Sequence, residues 1–199
     1  MHISEGVLTP PILIAGAAIT LAGTVIGLKK IRPHQVPVMA VLTSTFFVAS
    51  LIHVPLGPTS VHLVLNGLLG ILLGFGAFPS ILVALLLQAI FFQFGGIIVL
   101  GANTANMALP SVIVFLLFKK ICIAKQRKFR LLGGFLSGSI SILLSGVMVA
   151  LCLYFCGENF SQAAKTILVA HIPIMIIEGI ITALTIDFIY RVKPEMLDI

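Results

Sequence analysis

Residues 80–92 read SILVALLLQAIFF, and this stretch decides the fold class. No charge interrupts it, and its apolar residues stand side by side rather than alternating with polar ones, which excludes a strand of a lipid-facing barrel. Similar apolar runs lie on both sides of it, at 10–28, 35–54, 62–76, 106–121, 131–156 and 165–190. Most approach the ~20 residues that cross the hydrocarbon core of a bilayer as helix. Together with 79–94 they predict an all-α integral membrane protein, a bundle of about seven transmembrane helices forming one domain over 1–199.

Composition agrees. Of 199 residues 59% are hydrophobic and only 9% charged, with a mean hydropathy of +1.22, whereas a soluble domain carries about 25% charged residues. The net charge of +6 does not mark a nucleic-acid surface once the charges are placed. The basic residues cluster at Lys29, Lys30 and Arg32, between Lys119 and Arg130, and at Arg191 with Lys193, each group directly after an apolar run. That is the pattern of cytoplasmic loops, with some attraction to anionic lipid headgroups. Seven spans with all three clusters cytoplasmic put the N-terminus outside and the C-terminus inside. Lys165 alone falls on the other face, and His2 and His62 share the outer side.

Proline and glycine punctuate the chain. Pro10 and Pro11 suit a helix start. Val54-Pro55-Leu56-Gly57-Pro58 is a turn-rich break, after which Thr59 or Ser60 caps a short helix over 62–76. Residues 95–105, from Gly95-Gly96 through Gly101 to Asn103, are expected as a glycine-rich outer loop, because irregular backbone at membrane depth must be buried in protein or line a cavity. The segment 157–164, with Glu158 and Asn159, is expected as a polar loop. No repeat of 20–50 residues and no pair of broken helices marks a self-contained alternating-access transporter.

The three cysteines, Cys122, Cys152 and Cys156, make no complete disulfide set and read as small apolar helix residues. The N-terminus has no basic region before its first apolar run and no small-residue cleavage pattern, so Met1 is expected to be the mature first residue.

That expectation gives His2 a chemical consequence. A free α-amine, the deprotonated amide nitrogen of residue 2 and the His2 imidazole form two fused chelate rings on one metal, leaving a fourth planar position for another imidazole. Planar nitrogen fields suit Cu(II) and Ni(II). Read alone, His2 is more simply a chance histidine in a frayed terminus. Of the other histidines, His34 sits in a basic loop as a solvated residue, and His53 reads as interfacial packing. His62 opens an unusually short apolar segment. His171 and Glu178 lie two turns apart on the last span, and an ionisable residue within a membrane domain is a functional candidate. Gln93, Asn103 and Asn106 flank the glycine-broken segment. As poor nickel ligands, these amides are expected to orient imidazoles or hold a loop.

Enzyme readings fail. The chain has no His-Glu-x-x-His, no nucleophile elbow, no paired aspartates within its spans and no phosphate-binding loop, so no catalytic residue is assigned and ATP hydrolysis must lie elsewhere.

Met1-His2-Ile3-Ser4-Glu5-Gly6, Thr59-Ser60-Val61-His62, Phe94-Gly95-Gly96 with Leu100-Gly101-Ala102-Asn103 and Asn106-Met107-Ala108, and His171-Ile172-Pro173 with Glu178-Gly179 resemble, in order, the CbiM/NikM proteins. These are the substrate-capture S components of energy-coupling-factor (ECF) transporters for cobalt and nickel. The resemblance implies an N-terminal segment, residues 1–8, folded back into the bundle from outside. It implies a metal held by the amine of Met1, the amide and imidazole nitrogens of His2, and His62. It implies Ni2+ as the cargo rather than Co2+, because Pro58-Thr59-Ser60-Val61-His62-Leu63 is closer to the nickel branch than the Ser-His-Pro-Thr-Gly string typical of the cobalt branch. The partners it implies are a membrane coupling (T) subunit, a pair of ABC-type ATPases and a small accessory membrane subunit, all at a prokaryotic cell membrane. The competing reading is a non-transport membrane protein in which His2 is incidental.

Overall fold

The computed structural model describes residues 2–51, 53–56, 59–157 and 160–197, without the side chains of 53–56, 59–61 and 161. Among the described residues seven α-helices and one hairpin follow in the order α1 (Pro10–Lys30), α2 (Val36–Ala49), β1 (His53–Leu56), β2 (Thr59–His62), α3 (Asn66–Leu73), α4 (Ala77–Phe92), α5 (Leu100–Cys122), α6 (Arg127–Tyr154) and α7 (Ser161–Val192).

Helix α1 is turned inside out relative to a helix of a soluble protein. The buried face of α1 is Gly16, Thr20, Gly23 and Gly27, while Ile14 and Leu21 are 70% and 68% exposed. Lipid tails are as apolar as leucine, so large aliphatic side chains gain nothing by turning inward and small residues mark helix contacts. At the α1–α5 crossing the backbones touch. A Cβ on Gly16 would stand 2.5 Å from the Ala102 Cα, and one on Gly101 would stand 2.7 Å from the Ala17 Cα. Thr20 Oγ1 donates to the Gly101 carbonyl at 2.7 Å across the same crossing.

Among the described residues five stretches are long and apolar enough to cross a bilayer: Pro10–Lys30, Asn66–Phe92, Leu100–Cys122, Arg127–Tyr154 and Gln162–Val192. These stretches take in α1 and α3 to α7. Helix α2 has only 14 residues, about 21 Å at 1.5 Å per residue, short of the ~30 Å hydrocarbon core. The stretch Asn66–Phe92 is continuous in hydropathy but not in direction. Gly74 adopts φ 54°, ψ −121°, a conformation that L side chains rarely enter, and the chain turns back there. Asn66 Nδ2 donates to the Met107 carbonyl at 3.1 Å, and Gly74 faces the Phe115 ring, so α3 runs alongside α5. Phe75 and Pro79 pack at Gly27, and Phe78 packs at Gly23, so α4 returns along α1. Helix α3 is thus an eight-residue half-helix that starts deep inside the bundle.

Three further expectations change. Thr59–His62 are not a helix cap and first turn but strand β2, paired antiparallel with β1 from His53↔His62 to Leu56↔Thr59. β-branched Val54, Val61 and Thr59 suit a ladder better than a helix start. The 95–105 loop ends at Val99, because α5 begins at Leu100 and carries Gly101, Asn103 and Asn106 in its first turns. The second half of the expected 157–164 loop is the start of α7, and Glu158 and Asn159 lie outside the described residues.

All three basic clusters meet at one end of the bundle, where α1, α5 and α7 end and α6 begins. There Asp187 on α7 accepts hydrogen bonds from Arg127 at 3.1 Å, from buried Arg130 at 2.6 Å and from Arg191. Arg130 also donates to the Ala124 carbonyl, tying the α5–α6 turn to the same cluster. The opposite end holds the N-terminal segment and the hairpin.

Candidate metal centre

Residues 2–8 enter the bundle rather than fraying from it. Ile3 is fully buried and Leu8 nearly so. Asn103, in the first turn of α5, clamps the segment from both sides. Its Oδ1 accepts from the Ile3 amide at 2.9 Å, and its Nδ2 donates to the Ile3 carbonyl at 3.0 Å. Glu5 N–H donates to the Gly95 carbonyl at 3.2 Å, and the Glu5 carboxylate accepts from Ile98 N–H at 2.9 Å. This contact requires glycine beside it, since a Cβ on Gly96 would stand 2.2 Å from Glu5 Cγ.

The clamp delivers His2 to His62. Both are buried, at 5% and 3% exposure, their ring centroids are 4.7 Å apart, and His2 Nδ1 faces His62 Nε2 at 3.1 Å. The far nitrogens decide the tautomers. Gln88 Nε2 donates to the Phe47 carbonyl at 3.1 Å and to Ser50 Oγ, which fixes the amide so that its Oε1 is the atom 2.8 Å from His2 Nε2. An amide oxygen only accepts, so His2 carries its proton on Nε2. His62 Nδ1 lies 2.7 Å from the Leu63 carbonyl, so His62 carries its proton on Nδ1. In the neutral rings the two facing nitrogens both present lone pairs. Burial, together with the neighbouring His2 ring, holds the His62 pKa well below its usual value, which keeps that ring neutral and able to donate electrons. The two facing nitrogens converge on one point where a cation would be held by both rings, and the far-side acceptors are the partners that commonly orient metal-binding imidazoles.

Of the expected site residues, His2, His62 and Asn103 come together here. Met1 lies outside the described residues. Glu178 is nearby on α7, its carboxylate accepting from the backbone amides of Val64 and Leu65. Gln93 and Asn106 are elsewhere, while His171 on α7 stands close enough to His62 for its charge to act on that ring. Gln93 is exposed and ends α4 in a left-handed turn at φ 57°. Asn106 is buried against α6, 3.8 Å from Cys152 Sγ. His171 Nδ1 donates to the Ile167 carbonyl of its own helix at 2.6 Å. His34 is exposed, as expected. For His53 only the backbone pairing with His62 is described. Gln88, fully buried, is the contributor that sequence reasoning passed over. The signal was a lone amide in SILVALLLQAIFF, an expensive residue to leave in an apolar span without a partner.

Residues 2–196 match a protein family described as the cobalt uptake substrate-specific transmembrane region, CbiM. A Haemophilus influenzae protein, provisionally described as a metal transport protein, is 42% identical over 200 residues, covering 100% of this chain and 97% of that one. A fused nickel transport protein, NikMN, of Rhodobacter capsulatus is 37% identical over 124 residues, 57% of this chain and 35% of that one. A crystal structure of a transition metal transporter superposes with a TM-score of 0.74 at 25% identity, covering 96% of this chain and 93% of that chain.

Proposed function

This chain belongs to the CbiM family of cobalt and nickel transport components, and from that premise we propose that it captures Ni2+ as the substrate-binding S component of an ECF-type uptake transporter. It is a multi-pass protein of the prokaryotic cell membrane. The observation that carries the reading is the pair of inward lone pairs, His2 Nδ1 and His62 Nε2, 3.1 Å apart. Metal–nitrogen bonds of about 2.0–2.1 Å put adjacent corners of a planar site roughly 2.8–3.0 Å apart. The two rings therefore already stand close to the spacing of neighbouring ligands on one ion. The amide of His2 and the amine of Met1 complete the four-nitrogen plane in this account.

Planar nitrogen coordination favours Ni2+, with Co2+ as the alternative cargo. The basic end faces the cytoplasm under the positive-inside rule, which leaves the N-terminal segment and its histidine centre outside. A coupling T subunit, a pair of ABC-type ATPases and a small accessory membrane subunit supply what this chain lacks. The chain itself binds metal and hydrolyses nothing.

The test is Ni2+ and Co2+ titration of the purified chain beside His2→Ala and His62→Ala. The reading expects tight binding by the unmutated chain, and losses in each variant beyond the roughly 100-fold that removal of an outer partner costs. Unchanged binding in His2→Ala would instead support a non-transport membrane protein with an incidental His2.

A further inference from the structure

Helix α3 starts without a cap of its own. Leu65 at its N-cap makes no side-chain hydrogen bond and stands in the left-handed region at φ 56°, ψ 17°, an uncommon conformation for leucine. The missing acceptor comes from α7. Glu178 Oε1 accepts from the Val64 amide, and the Leu65 amide donates to Oε1 at 2.8 Å and to Oε2 at 3.0 Å. Glu178 is fully buried, and its carboxyl oxygens meet the unpaired amide N–H groups at the start of α3.

What this anchor holds is more than a helix end. The Val64 N–H and the Leu63 C=O belong to one peptide unit, and that unit is planar. The Leu63 carbonyl is the group that accepts the His62 Nδ1 proton at 2.7 Å. A carboxylate gripping the N–H side of this plane therefore sets the direction of its C=O side. The C=O in turn sets the tautomer and tilt of the His62 ring, and hence the aim of Nε2 toward His2.

The anchor is itself tightly packed. Helix α7 lies so close to α6 at this level that a Cβ on Gly138 would stand 2.4 Å from the Glu178 carbonyl oxygen. Ser139 Oγ on α6 donates to the Met175 carbonyl at 2.9 Å, three residues before Glu178 on α7.

We propose that Glu178 is the positioning residue for His62, acting through the Leu63–Val64 peptide plane rather than by touching the cation. This rests on the reading of the His2–His62 pair as the cation site, and it adds the α6–α7 pair to the structure that defines that site. An amide at position 178 would offer one acceptor where the carboxylate offers two, and would turn its NH2 toward backbone donors. Glutamine is therefore not a silent replacement.

The test is a double-mutant cycle in the full chain with its native N-terminus, using Glu178→Ala, His62→Ala and the double variant, with Ni2+ as the probe. Affinity and the ligand-field absorption of bound Ni2+ are read together, and thermal unfolding of the metal-free proteins checks the fold. Glu178→Ala should weaken binding about 10–100-fold and shift the absorption toward that of His62→Ala. Adding it to His62→Ala should cost less than about twofold more, since a residue that acts only through His62 has nothing left to act on. Glu178→Gln is nearly isosteric and carries the same cycle if the alanine variant does not fold. Additive losses in the double variant, or unmutated affinity and spectrum in Glu178→Gln, would overturn the positioning role while leaving the metal centre standing. Failure of the unmutated chain to bind Ni2+ would remove the metal centre and the positioning role together.

Discussion

His2 Nδ1 and His62 Nε2 face each other across 3.1 Å inside a buried core. The arrangement persists because the far nitrogens are fixed by acceptors, Gln88 Oε1 and the Leu63 carbonyl. Gln88→Leu removes one of them while suiting an apolar span, and should weaken Ni2+ binding about 10–100-fold in a titration without loss of folded protein. The burial that lowers the His62 pKa has its own consequence. The unfolded chain binds the His62 proton at a higher pH than the folded one does, so metal-free stability should fall as pH drops through the ordinary imidazole range near ~6.5. Thermal unfolding of the metal-free protein at pH 7.5 and 5.5 checks this, and His62→Gln should flatten the difference. His2 and His62 were legible in the sequence because their significance is local chemistry: a second-position histidine and a motif around the other. Gln88 was not, because its partners Phe47 and Ser50 are brought to it only by the packing of α2 on α4. Gln93 was misread because it flanks the glycines, whereas α4 simply ends there.

At the scale of elements, the apolar runs announced α1, α4, α6 and α7 within a few residues, since lipid demands unbroken backbone hydrogen bonding in every exposed span. The start of α5 escaped because Gly101, Asn103 and Asn106 are loop residues by propensity. In the bundle Gly101 is the contact surface for α1, and Asn103 is the clamp on Ile3. The hairpin escaped, and the short helix expected over 62–76 proved shorter still as α3, Asn66–Leu73, since a half-helix held inside the bundle need not meet a length set by lipid. If the α1–α5 crossing is a backbone contact, Gly16→Val should destabilise the metal-free protein by about 1–3 kcal/mol. Leu21→Val, at a lipid-facing position, should change little. Detergent-based thermal unfolding of the two variants side by side tests the contrast.

The whole molecule sorts its charge along one axis, with Lys29, Lys30, Lys119, Lys120, Arg127 and Arg191 at one end and the histidine pair toward the other. The proposed orientation in the membrane rests on that asymmetry. With Cys122, Cys152 and Cys156 replaced, a cysteine at Lys165 should react with a membrane-impermeant maleimide in intact cells, and one at Lys128 should not. The reverse pattern would invert the topology and put the centre on the cytoplasmic side. The sorted charge was readable from the sequence because the positive-inside rule acts on loops one by one. The depth of the centre was not readable, since it depends on how far residues 2–8 are drawn in by Asn103 and Gly95. The central claim is that a free N-terminus and His2 together form most of the ligand set, with His62 completing it. Its most direct test is Ni2+ titration of the chain with its native first residue beside the same chain extended by one residue. Tight binding by the native form and its loss on extension is the predicted result; equal binding by both would contradict the account.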